Sequence, residues 1–218
     1  MLIIPHELGH AVMGQLCGFK VREIRLCPYG GNTIFEGCYN SSLKEEWMVL
    51  LAGPMMQMVS FFFLTFFLSA DDVQILKTYH VTLLAFNWLP FYPLDGGKAL
   101  QLLCSFFLPY YMSLFFTLSF SLLGLSILIF FSFWYHFYQL MFVFLIVFFK
   151  CLHSFHKRRY LLQSYLLVRY LHPRWFSRKR IVSSPYEFYF GCRNIIRINQ
   201  MEWTENSFLK QYFHRKKL

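Results

Sequence analysis

The sequence predicts an all-α polytopic membrane protein of about five transmembrane helices, with a broken helix at a metal site and a short cytoplasmic hairpin loop. Three observations predict it. Apolar runs in the 218-residue chain, 56% hydrophobic and 22% aromatic, are too long for a soluble core. Next, His6-Glu7-Leu8-Gly9-His10 sets ionisable groups among Leu2, Ile3, Ile4, Ala11, Val12, Met13 and Leu16, where charged or titratable side chains are costly and point to function. Finally, residues 87–97 are interrupted by proline and glycine around one carboxylate, Asp95.

The elements follow in chain order. Residues 1–17 make a partial span. Residues 47–70 carry no charge and are long enough to cross a bilayer of ~30 Å with some tilt. Residues 75–93 form a further candidate, weakened by Lys77 and His80. Residues 112–149 are uncharged and long enough for two crossings, turning near 132–136, where Trp134, Tyr135 and His136 suit an interface. Between the first two spans, residues 25–36 contain Pro28, Gly30 and Gly31, then alternating Thr33, Ile34 and Phe35, which read as a hairpin or re-entrant loop.

Charge orders these spans. Lys20, Arg22, Arg25 and Lys44 place the first connection inside; Asp71 and Asp72 place the next outside; Lys98 returns the chain inside. The turn near 132–136 has no Lys or Arg and fits outside, and the tail fits the cytoplasm. Met1 then starts on the outer side of an incomplete helix, which predicts either an upstream transmembrane helix absent from this chain or a half-helix reaching only to the depth of the metal.

Two imidazoles four residues apart lie about 40° apart around a helix, so His6 and His10 can bind one zinc ion while Glu7 acts on a zinc-bound water. A catalytic zinc takes three protein ligands and a water, and Asp95 is the best candidate for the third. Pro90 and Pro93 break the helix ahead of it, and Gly96 and Gly97 let the chain turn tightly after it. Non-helical backbone at membrane depth is tolerated only where protein or a water-filled cavity surrounds it. Asn87 is either a donor to the scissile carbonyl and developing oxyanion or a cap of the broken helix. Gly53-Pro54 reads as close helix packing or a kink. His80, His136, His153, His156, His172 and His214 are scattered and read as interface or surface residues.

These motifs together resemble the site-2 protease family of intramembrane zinc metalloproteases, and within it the sporulation members of endospore-forming bacteria. The resemblance covers roughly residues 1–165 and rests on four features: the run His6 to Ala11, Pro28-Tyr29-Gly30-Gly31, Leu43-Lys44-Glu45-Glu46 ahead of Ala52-Gly53-Pro54, and the stretch from Asn87 through Pro90, Pro93-Leu94-Asp95-Gly96-Gly97 to Lys98. It implies a zinc-dependent endopeptidase with Glu7 and Asn87 as catalytic residues, His6, His10 and Asp95 as ligands, and Zn2+ as the cofactor. It further implies a membrane-associated substrate, a sigma-factor precursor such as pro-sigma-K, and membrane inhibitor proteins as partners. Residence would be in a bacterial cell membrane, the mother-cell or outer forespore membrane. A different class of function is a catalytically inactive, truncated membrane scaffold or binding partner.

The chain divides into a metalloprotease core, 1–150, and a basic tail, 151–218. From Lys150 onward the chain has fifteen Lys or Arg against three acids. This charge fits anionic lipid head groups beside a last span, with no direct nucleic-acid role. The resemblance implies a CBS-type regulatory domain here, of which Phe190 to Ile196 and Phe208 to Phe213 could be the remnant. The six cysteines form no CxxC pair and indicate neither a disulfide framework nor a thiolate metal site.

Overall fold

A computed structural model describes residues 2–27, 30–36, 40–198 and 201–215. Helix α1 (Ile3–Leu16) carries the His-Glu-His motif. It ends where Gly18 turns to φ +83°, a conformation glycine adopts without strain. The Gly18 and Phe19 amides there bond back to the carbonyls of Gln15 and Gly14 at 2.9 and 2.8 Å. The predicted hairpin follows as β1 (Lys20–Cys27) and β2 (Gly30–Glu36), antiparallel from Lys20↔Glu36 to Cys27↔Gly30. Pro28 and Tyr29, part of the motif quoted above, lie outside the described residues.

Helix α2 (Leu43–Thr65) begins with a capping box: Ser42 accepts from the Glu45 amide, and the Glu45 carboxylate accepts from the Ser42 amide at 2.9 Å. It packs along α1, and a Cβ on Gly9 would stand 2.4 Å from the Ala52 carbonyl oxygen, so the two backbones nearly touch. Its C-terminal end carries Phe62 and Phe63, followed just past the helix by Phe66 and Phe67, all strongly exposed, as lipid-facing residues are.

Helix α3 (Ala70–Asn87) is capped by Ser69, with Asp71 and Asp72 in its first turn, where they meet the positive end of the helix dipole. The chain then runs without helix through 88–94 and re-enters α4 (Asp95–Ser105). Helices α5 (Tyr110–Trp134) and α6 (Tyr138–His156) form a pair around fully buried Leu118 and Val147. The turn between them falls at the predicted place.

Among the described residues, three helices are long and apolar enough to cross a membrane: α2, α5 and α6. The expected count of about five included α1 and α3. Helix α1 has only 14 residues, and α3 holds Asp71, Asp72 and Lys77 within its 18.

The all-α expectation does not extend to the tail. After α7 (Arg158–Leu171) the chain forms β3 (Lys179–Val182), a short 3-10 turn (Pro185–Glu187), β4 (Arg193–Ile198), β5 (Met201–Trp203) and α8 (Glu205–Arg215). Strands β3 and β4 pair in parallel, and β4 and β5 antiparallel. The strands draw on Ile181, Val182, Ile195 and Ile196, β-branched residues that suit a pleated half-buried surface. Arg169 is the polar centre of this region. It is 3% exposed and donates to the Glu205 carboxylate, the Tyr165 hydroxyl, and the carbonyls of Tyr189 and Cys192. The region joins the helical core through Tyr110, which stacks on Tyr165 at 4.1 Å and donates its amide to the Phe188 carbonyl at 2.8 Å.

Candidate metal centre

Helix α1 turns His6, Glu7 and His10 inward, and all three are at most 5% exposed. The break between α3 and α4 brings Asp95 to them. Gly96 and Gly97 make that approach possible: a Cβ on Gly96 would lie 2.3 Å from the Trp88 carbonyl oxygen, and one on Gly97 2.4 Å from the Tyr92 amide nitrogen. Asp95 Oδ2 then stands 2.9 Å from His6 Nε2 and 3.2 Å from His10 Nε2, and the two Nε2 atoms are 3.2 Å apart. One ligand atom from each of His6, Glu7 and His10 lies within 4.8 Å of the others.

The protons on the imidazoles follow from their other partners. His10 Nδ1 faces the Val49 carbonyl at 2.8 Å, so Nδ1 carries the hydrogen. Gln57 Nε2 is 3.3 Å from the His80 carbonyl, which only accepts. This fixes the amide orientation: Gln57 Oε1 faces His6 Nδ1 at 3.0 Å and accepts its hydrogen. With its hydrogen on Nδ1, each imidazole in its neutral form turns an Nε2 lone pair toward one point, where a carboxylate oxygen joins them. Three acceptors converging there repel one another unless a cation stands among them. Two imidazoles with a carboxylate are a donor set that suits zinc, so the residues present fit that ion. A ligating histidine normally passes its other N–H to an oxygen, as both do here.

The surroundings are shaped to these side chains. A Cβ on Gly53 would stand 2.3 Å from His10 Nε2, and one on Gly31 would stand 2.1 Å from Glu7 Cγ. The Thr33 hydroxyl on β2 donates to Glu7 Oε2 over 2.8 Å. Lys98 Nζ is 3.7 Å from Asp95 Oδ1, the oxygen turned away from the histidines. Asn87 Nδ2 is 3.5 Å from His6 Nε2, at the last residue of α3. Glu7, His10, Gly31, Asn87, Asp95 and Lys98 line a recess of about 30 Å³. Adjoining residues line a larger cavity of about 290 Å³.

All five residues proposed from sequence meet here. Sequence reasoning missed Gln57; it placed Thr33 and Gly31 in the hairpin and Gly53 at a close helix contact, without tying them to Glu7 and His10. It also misplaced His80, which is 8% exposed and holds Gln57 Nε2 at 3.2 Å instead of lying at an interface. The signals were present. Gln57 is a polar side chain inside a charge-free span, and His80, seven residues before Asn87, projects on the same helix face.

A family model described as Peptidase M50B-like matches residues 1–92. The chain is 35% identical over 116 residues to the stage IV sporulation protein FB of Bacillus subtilis (strain 168), covering 50% of this chain and 40% of that protein. It is 27% identical over 111 residues to a zinc metalloprotease of Methanocaldococcus jannaschii, covering 47% of this chain and 32% of that protein. The chain thus spans less than half the length of either relative. In fold it is similar to a site-2 protease from Methanocaldococcus jannaschii, with a TM-score of 0.58 and 22% identity, covering 71% of this chain and 74% of that one.

Proposed function

We infer that this chain belongs to the site-2 protease family and is a zinc-dependent endopeptidase that cleaves a membrane-associated protein precursor. The observation behind this reading is the convergence of His6 Nε2, His10 Nε2 and Asp95 Oδ2 beside a buried Glu7. These three side chains would hold the zinc, with Glu7 and Asn87 as the catalytic residues. Zinc at such a site acts as a Lewis acid and makes water a nucleophile at neutral pH.

The chain's own residues supply the rest. Glu7 takes the proton from the attacking water at its carboxylate and returns it to the leaving amine. Thr33 holds one carboxylate oxygen and leaves the other, which Gly31 leaves room for, to face the recess. Asn87 lines that recess, and its amide N–H is positioned to donate to the carbonyl oxygen as negative charge develops. Among the described residues β2 pairs with β1 alone, so its other edge can take an extended peptide by strand addition, running past Thr33 and Glu7.

The finer reading follows the likeness to the sporulation protein: the precursor is pro-sigma-K, cleaved in the mother-cell or outer forespore membrane under the control of membrane inhibitor proteins. The basic tail, 151–218, then lies on the cytoplasmic side against anionic lipid, as a reduced CBS-type regulatory unit. Co-expression with a membrane-tethered sigma-factor precursor tests this. Wild type should shorten the precursor and Glu7→Gln should not; equal shortening by both contradicts it.

A further inference from the structure

The recess at the metal centre and the larger cavity share two lining residues, His10 and Lys98. The larger cavity thus adjoins the recess where a peptide bond would react. Its volume of about 290 Å³ is at the lower end of the ~300–1,000 Å³ typical of small-ligand sites. That size suits one large side chain, not a folded partner. Most of its wall is hydrocarbon, including Leu50, Leu102 and Leu114. Its acid and lysine side chains, Glu46 and Lys98, stand among these apolar walls.

The wall does not come from the helical core alone. Leu161 of α7 and Phe190, ahead of β4, also line the cavity. Phe190 is 6% exposed and is held by ring contacts to Tyr110 at 6.2 Å and Tyr165 at 6.1 Å. Tyr165 is itself tied through its hydroxyl to Arg169 at 2.7 Å and to the Tyr189 carbonyl at 3.2 Å. The buried arginine of the tail therefore helps fix part of a wall next to the metal centre.

We propose that this cavity is the side-chain subsite beside the scissile bond, that it takes one large apolar residue of the substrate, and that Leu161 and Phe190 of the C-terminal region set its size preference. The proposal rests on the peptidase reading of the adjoining centre. It assigns the tail a part in substrate selection, in addition to contact with lipid.

Acetyl-Gly-X-hydroxamates, with X as Ala, Leu, Phe or Trp, test it without turnover, because the hydroxamate binds zinc while X probes the cavity. Binding to the full zinc-loaded chain is measured by calorimetry. The Phe compound should bind ~10-fold or more tightly than the Ala compound, as expected for filling an apolar pocket. Leu161→Trp should bring that ratio to about one and leave the Ala compound unchanged; Leu161→Ala should shift preference toward Trp. A ratio near one in wild type, a ratio unaltered by Leu161→Trp, or no hydroxamate binding overturns the proposal. Ordered binding without cleavage of any peptide bond overturns the peptidase reading, and with it the subsite's role in cleavage, leaving only an apolar site beside the zinc. Cleavage with indifferent hydroxamate binding overturns the subsite alone.

Discussion

His6 donates its Nδ1–H to Gln57 Oε1 over 3.0 Å, and this contact decides which face of the imidazole meets the metal position. Gln57 is fully buried in the middle of an apolar span and is held in turn by His80. A buried amide in such a helix is costly unless every polar atom is satisfied, and here its oxygen serves His6 and its nitrogen serves His80.

Gln57→Leu removes the acceptor and frees the ring to rotate. Loss of an outer partner of a ligating histidine typically costs ~10–100-fold in metal affinity, and that loss is expected here. Gln57→Glu keeps an acceptor and should retain most of the affinity. Competition with a chromophoric chelator measures both.

The two fitted glycines separate metal binding from catalysis. Neither has a left-handed backbone, so alanine acts through its methyl group alone. In Gly53→Ala that methyl would lie 2.3 Å from His10 Nε2, so the ring must move and zinc affinity should fall. In Gly31→Ala it would lie 2.5 Å from Glu7 Oε1, so cleavage should fall by ~100-fold with zinc content unchanged. Zinc analysis beside a cleavage assay checks the pair.

Arg169 anchors the tail. Arg169→Met would leave the Glu205 carboxylate and the Tyr189 and Cys192 carbonyls without this partner. Breaking a buried pair of this kind typically costs ~3–5 kcal/mol. The tail should become open to limited proteolysis, read by mass spectrometry, while the core still binds zinc.

The centre was legible in sequence where spacing is chemistry. His6 and His10 share a helix face because of the helical period, and Pro90, Pro93, Gly96 and Gly97 announce the break that delivers Asp95. Residues that act from another element left weaker traces. Thr33 meets Glu7 only because the hairpin folds back on α1, and nothing in the alternation of β2 reveals it. His80 looked peripheral because its partner, Gln57, lies on a different helix. The tail was read through its charge, which hid short strands built on Ile181, Val182, Ile195 and Ile196.

Purified protein in lipid, assayed in parallel for bound zinc and for cleavage of a membrane-tethered precursor, tests the central claim most directly. Wild type and Glu7→Gln should each hold one zinc ion, with cleavage by wild type alone. Asp95→Ala should lose both zinc and cleavage. Cleavage by Glu7→Gln at the wild-type rate, or a full zinc complement in Asp95→Ala, would contradict the account.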